Sequence, residues 1–161
     1  MVKQVTVIRR PPTVVLFFAG ATAHNLIAAL NEVSEPLQFT SLDPVEWYFP
    51  SNSYWRVLVR FDDEIFATYT EQEKEPIYAG VGRTPSAILK LTLDWHSPEE
   101  ARKAAKTLVE HLLGMFYGIA DDRSGEDSIW NLEEIRNTKH GVEFLEKADM
   151  RVLHVVSDSW R

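Results

Sequence analysis

The stretch at residues 87–130 constrains the fold more than any other part of the chain, because its periodicity changes twice within it. Between residues 87 and 95, apolar and polar side chains alternate, which predicts a strand with one buried face and one solvent-exposed face. The apolar members are Leu89, Leu91, Leu93 and Trp95. Strands of this kind are typical of antiparallel sheets.

A helix is predicted directly after this strand. Ser97 can cap its first amides, Pro98 suits the first helical position, and Glu100 stands where a capping box needs it. The apolar residues that follow recur every three or four positions, so one stripe of the helix is apolar. They are Ala101, Ala104, Ala105, Leu108, Val109, Leu112 and Leu113. Gly114 is the expected end of the helix.

The remainder of this stretch is predicted to contain two short strands joined by a polar turn. The strands lie at residues 115–120 and 128–131, and the solvated turn lies at residues 121–127. The predicted order is therefore strand, helix, strand, turn, strand.

Residues 13–49 follow a similar order. An apolar strand and a helix capped by Thr22 precede two short strands, and Trp47 takes the place that Trp130 has in the other stretch. The predicted bounds are 13–19, 21–33, 37–40 and 45–49. Two explanations stay open, an internal duplication and separate use of a common motif.

The other predicted elements are strands at 2–8, 54–61, 64–70 and 151–156, a charged surface loop at 71–75 and short helices at 132–137 and 141–147. We therefore expect one α+β domain over residues 1–161, a two-layer sandwich with two main helices on one face of a mostly antiparallel sheet. A ferredoxin-like arrangement is the named topology that fits best, with or without a repeated strand–helix–strand–strand unit.

Composition narrows the classes of function. The net charge of −7 argues against binding to nucleic acid and against a polybasic membrane contact. The chain has no cysteine, which excludes thiolate catalysis and cysteine-based zinc sites. The longest apolar run, residues 14–19, is too short to span a membrane. We expect a soluble cytoplasmic protein without a cofactor.

One pair of residues could carry chemistry. Asp94 and His96 are two positions apart at the end of a predicted strand, so a carboxylate could orient an imidazole that acts as a general base. The sequence places no nucleophile beside them, and a surface pair is the commoner alternative. The five histidines form no metal-binding spacing, so no metal site is predicted.

Two loops resemble ligand-binding motifs only in part. Residues 121–127 are rich in aspartate, but an EF-hand register places Ala120 at the position that needs an aspartate. Gly80 and Gly82 start a pattern typical of phosphate-binding loops, but Pro85 replaces its third glycine. Neither calcium nor a nucleotide is therefore expected.

The candidate binding residues are Trp47, Arg56, Arg60, Asp121, Asp122 and Trp130. The tryptophans stand near turns, where they could anchor an interface, although packing at the ends of the core is the favoured alternative. Arg56, Arg60, Lys90 and His96 are expected on one polar face of the sheet, which could contact an acidic partner or a second subunit.

No motif commits the chain to a reaction, which favours a binding protein. The strand–helix–strand–turn–tryptophan pattern that ends in DDRSGEDSIW is similar to that of small bacterial immunity proteins, which neutralise a toxin partner. This resemblance covers about a quarter of the chain and contains no diagnostic motif, so it guides the choice among binding roles and assigns no family.

Two hypotheses follow. The first is a non-catalytic acidic protein that acts through a protein partner, with the acidic stretches 62–64, 71–75 and 121–127 attracting a basic partner. The alternative is a small-molecule-binding domain or an enzyme that uses Asp94 and His96 beside an aromatic cleft. A homo-oligomer is compatible with both.

Overall fold

The computed structural model describes residues 2–9, 11–37, 46–50, 57–82, 84–94, 96–125, 127–147 and 152–159. Within these residues the strands are β1 (Val2–Arg9), β2 (Thr13–Phe18), β3 (Glu35–Leu37), β4 (Glu46–Phe49), β5 (Val57–Phe61), β6 (Ala87–Leu93), β7 (Gly118–Asp121), β8 (Ile129–Trp130) and β9 (Val152–Ser159). The α-helices are α1 (Ala23–Val33), α2 (Glu71–Val81), α3 (Pro98–Met115) and α4 (Leu132–Asn137), and a 3₁₀-helix covers Asp63–Thr68.

Seven strands form one antiparallel sheet in the order β3-β4-β5-β6-β2-β7-β8. β6 and β7 both pair antiparallel with β2, so the connection through α3 joins two parallel strands with β2 between them. The apolar strand predicted at residues 13–19 is β2, which is buried on both faces. β1 and β9 form a two-stranded antiparallel sheet. The ferredoxin-like arrangement stays a prediction.

The main core lies between one face of the seven-stranded sheet and helices α1 and α3. The predicted stripe of α3 is buried, because alanines near its start let the helix approach the sheet and leucines fill the space further along. Its buried members are Ala101, Ala105, Leu108, Val109, Leu112 and Leu113. The α+β class and the two main helices on one face are thus confirmed.

The predicted helix ends are confirmed for the cap of α1 but only in part for α3. Thr22 caps α1, since its hydroxyl oxygen accepts a hydrogen bond from the Asn25 amide at 3.2 Å. Ser97 precedes α3 as predicted, but its side chain makes no capping hydrogen bond. The helix also continues through Gly114 to Met115, and the Phe116 amide then donates to the Leu112 carbonyl at 2.9 Å. Gly114 is therefore not the end of the helix, which corrects the prediction.

A smaller core lies on the second face of the sheet, under α2 and the 3₁₀-helix. Its buried members are Val15, Phe17, Tyr69, Ile77, Val81, Ile88 and Ile119. The predicted strand at 64–70 and the predicted loop at 71–75 are therefore both wrong. The expectation that the second face of β6 is solvent-exposed is also wrong, because Ile88 is buried and Lys90 and Thr92 are half-buried.

Local hydrogen bonds explain why these two helices form. The Asp62 carboxylate accepts from the Ile65 amide at 3.1 Å and so starts the 3₁₀-helix. Thr70 and Glu73 form a capping box at the start of α2. Gly82, with a φ of 73°, ends α2 in the left-handed conformation that glycine adopts without strain.

Several predictions fall outside the described residues, among them Arg56 and Trp95. Within the described residues, 132–137 form helix α4 as predicted, whereas 144–147 form turns and the predicted helix at 141–147 is wrong. Among all the residues that the structure describes, no helix has the length and apolar content needed to cross a membrane.

Candidate functional site

The loop between β7 and β8 contains a buried carboxylate, Asp122, whose oxygens accept three hydrogen bonds. Oδ1 accepts from the amide and the hydroxyl of Ser124 at 3.0 and 2.7 Å, and Oδ2 accepts from Trp130 Nε1 at 3.0 Å. Asp122 is 3% exposed, and this burial raises its pKa above the usual range, although its hydrogen bonds oppose the shift. Asp122 therefore fixes the path of the loop against the Trp130 indole.

The neighbouring carboxylate, Asp121, joins this loop to the segment before α2. The Tyr69 hydroxyl donates to Asp121 Oδ2 at 2.5 Å, and the Arg123 amide donates to Oδ1 at 2.8 Å. Burial raises the pKa of Tyr69 above its usual range, and the charge of Asp121 adds to that increase. The Arg123 guanidinium lies 5.3 Å from the centre of the Tyr69 ring. The hydrogen bond between Tyr69 and Asp121 connects residues 52 positions apart in the sequence.

The prediction of a solvated turn at residues 121–127 is therefore wrong for its first two residues. Asp121 and Asp122 are both buried, and the hydrogen bonds given above use both oxygens of each carboxylate. Their role as residues that bind a partner stays a prediction. The geometry shows that the two buried carboxylates hold the loop in place through the hydrogen bonds that they accept.

Lys139 holds the other end of the same loop. Its ammonium group donates to the carbonyls of Asp127, at 3.2 Å, and of Ile129. It also lies 3.9 Å from Glu134 Oε2 and 5.6 Å from the centre of the Trp130 ring. Cavities of about 220 and 550 Å³ flank the loop, and Asp127 and Lys139 line both of them.

The two candidate tryptophans are core residues. Trp47 in β4 is fully buried and donates from Nε1 to Asn31 Oδ1 at 2.8 Å, while Trp130 in β8 packs edge-on against Phe144 with ring centres 5.4 Å apart. Both indole N–H groups therefore have an internal acceptor. Both side chains are buried in the core, in agreement with the alternative that these tryptophans pack the ends of the core.

Asp94 and His96 lie just beyond the end of β6. Asp94 is buried, and its Oδ1 accepts a hydrogen bond from the backbone amide of His96 at 2.9 Å. This bond fixes the turn that leads into α3. Neither residue lines either of the two cavities beside the loop, or the third, of about 310 Å³, beside α3.

Two other residues predicted on the polar sheet face, Arg60 and Lys90, are cross-strand neighbours. Arg60 is exposed on β5 and lies opposite Lys90 of β6. Lys90 is engaged, since its ammonium lies 3.2 Å from Asp62 Oδ2. The predicted site residues therefore occupy four places and form no common site among the described residues. These places are the end of β6, the exposed face of β5, strand β4 and the β7–β8 hairpin.

A different feature stands out on the second face, which we call the acidic helix surface, residues 62–76. It contains six carboxylates and one basic side chain, Lys74. The carboxylates belong to Asp62, Asp63, Glu64, Glu71, Glu73 and Glu75, all of them exposed except Asp62. Lys74 is half-buried, lies 3.6 Å from Glu71 Oε1 and stands 5.1 Å above the centre of the Phe66 ring. The net charge of this segment, −5, is most of the net charge of the chain.

Sequence reasoning identified all six carboxylates but not the helix that arranges them. The signal was present, because a threonine at 70 followed by a glutamate at 73 is the pattern of a capping box. Pro76 inside the helix and the run of charges concealed it. Two exposed tyrosines beside this surface, Tyr78 and Tyr117, were missed altogether.

Within the described part of the chain, no group of three or more histidines and acidic residues is arranged to hold a metal ion. Comparison of the sequence with protein-family models and with curated proteins, and of the fold with solved structures, found no match.

Proposed function

We propose that this protein is a non-catalytic binding protein that acts by docking a basic protein partner on the acidic helix surface. One observation carries the proposal: five exposed carboxylates stand along the 3₁₀-helix and α2, and the single basic side chain among them is already engaged. An acidic field of this kind attracts a positively charged protein and raises its association rate.

The arrangement of the charges supports docking rather than solubility alone. α2 packs on the sheet through Ile77 and Val81, so its charged face is held at a fixed position and does not move as a free loop would. A fixed row of charges needs less ordering when a partner binds.

The partner that we propose is a protein toxin, which this chain would neutralise by covering its basic surface. The similarity of residues 87–130 to small bacterial immunity proteins supports this choice. We propose the cytoplasm as the compartment, since a chain without cysteine is suited to reducing conditions.

The test is affinity purification of the tagged chain from its own cells, with mass spectrometry of what is retained. We expect one stoichiometric partner with an excess of lysine and arginine, released as the salt concentration rises. A variant with Glu64→Lys and Glu75→Lys reverses two exposed charges of the acidic helix surface, and it should lose the partner.

The matched control is a variant with Glu32→Lys and Glu133→Lys. It makes the same change in net charge at exposed positions on α1 and α4. Retention of the partner by this control and its loss from the first variant would support the proposal. A partner retained equally by both variants, or one that is itself acidic, would contradict it.

A further inference from the structure

We infer that Tyr78 and Tyr117 are the anchor of this interface, and that lysine or arginine side chains of the basic partner stack on their rings. This inference rests on the proposed function and adds to it the residues that supply most of the affinity. Tyrosine is among the residues that most often dominate the energy of a protein interface.

The positions of the exposed apolar side chains point to this place. Among the described residues, the large apolar side chains that are exposed are Tyr78 at 37%, Met115 at 51% and Tyr117 at 66%. Tyr78 is on the last turns of α2, and the other two lie where α3 leads into β7. The Tyr117 hydroxyl donates to the Gly80 carbonyl at 2.7 Å, which brings this connection against the end of α2.

Each tyrosine ring is held by a contact of its own. Tyr117 is fixed at its hydroxyl by the bond to Gly80. Tyr78 packs edge-on against Phe66, with ring centres 5.8 Å apart and an interplanar angle of 89°. Rings held in this way lose little conformational freedom when a partner binds, so more of the interaction energy appears as affinity.

The chemistry of the surroundings selects a cationic partner over an apolar one. Tyr78 follows the acidic helix surface directly in the same helix, so a group that contacts its ring also meets the field of those carboxylates. A lysine or arginine gains from both, through charge attraction and through the negative face of the aromatic ring. The protein itself uses this contact nearby, where Lys74 stands over Phe66 and Arg123 over Tyr69.

The experiment is site-specific photo-crosslinking of the full chain in its own cells. Benzoylphenylalanine replaces Tyr78, Tyr117, Glu75 or Thr107 in turn, and the crosslinked proteins are identified by mass spectrometry. Glu75 reports on the acidic helix surface, and Thr107, exposed on α3, is the control on the opposite face of the sheet. We expect one basic protein crosslinked at 75, 78 and 117 and not at 107.

The outcomes separate the anchor from the proposed function. A basic protein crosslinked at 75 but at neither tyrosine position overturns the anchor and leaves the proposed function in place. If position 75 gives no specific product, or the same products as 107, both are overturned.

Affinity for the identified partner gives the second measurement. Tyr78→Ala with Tyr117→Ala should weaken binding by about 30-fold or more, the loss typical of an interface anchor. Tyr117→Phe keeps the ring but removes the bond to Gly80, so its loss should be smaller. A double variant that keeps its thermal stability and binds as tightly as the wild type overturns the anchor.

Discussion

The two faces of the sheet are stabilised by different means. The face under α1 and α3 is filled almost entirely by aliphatic and aromatic side chains, among them residues of β2, β4, β5, β6, β7 and β8. The face under α2 has a much smaller apolar core and includes a hydroxyl bonded to a carboxylate, Tyr69 to Asp121. The first face works as the scaffold. The second combines a modest core with the charged outer surface that we propose as the docking site.

This difference can be tested on one strand, since β6 contributes to both cores. Leu91 points into the main core and Ile88 into the smaller one. Leu91→Ala should lower the free energy of unfolding by about 3–5 kcal/mol, because the surrounding core is too extensive to close the cavity. Ile88→Ala should cost about 2–3 kcal/mol, since a thin layer can relax around the lost atoms.

Urea denaturation of both variants measures these two losses. Equal losses would show that the second core is as rigid as the first and would remove the contrast between the faces. A larger loss for Ile88→Ala would reverse it.

The next prediction concerns the polar bond within the smaller core. Tyr69→Phe removes the hydroxyl and leaves a buried oxygen of Asp121 without that donor, so we expect a loss of about 2 kcal/mol at neutral pH. Because the pKa of Tyr69 is raised in the folded state, its contribution is fully present below the unfolded value of 10.0 and is lost as the pH rises further.

Denaturation at pH 8 and at pH 11 tests both parts of this prediction. The wild type should lose stability relative to Tyr69→Phe at the higher pH, so the gap between the two proteins should narrow. A gap that stays constant would mean that the Tyr69 hydroxyl does not titrate differently in the folded and unfolded chain.

The same contrast explains how far sequence reasoning reached. The stripe of α3 and the buried face of β6 were read correctly because the main core imposes simple periods on long elements. α2 was missed because only Ile77 and Val81 of its residues are buried, which is too few to produce a period.

The candidate site was harder to read for a related reason. The partners Tyr69 and Asp121 are brought together only by the fold, so neither residue signals the other in the sequence. Asp121 and Asp122 have the composition of a solvated turn, and only the packing around them makes them buried. Their charge was visible in the sequence, but their environment was not.

The smallest expected effect is a pH dependence of stability at the boundary of the main core. Asp122 is the ionisable partner of Trp130, which belongs to the apolar face. Its pKa is raised by burial, so its contribution to stability is greatest below the unfolded value of 3.8 and falls as the pH rises through the folded value. Asp122→Asn cannot ionise and loses that dependence.

We therefore expect the difference in unfolding free energy between wild type and Asp122→Asn to shift in favour of the wild type on acidification from pH 7 to pH 4. At pH 7 the variant should lie within about 1 kcal/mol of the wild type, since an amide keeps an acceptor for one of the donors. Asp127→Asn removes one carboxylate at an exposed position of the same loop and is the control. A shift of equal size in both variants would assign the effect to the charge of the loop as a whole. The buried carboxyl group of Asp122 would then make no contribution of its own to the stability of the main core.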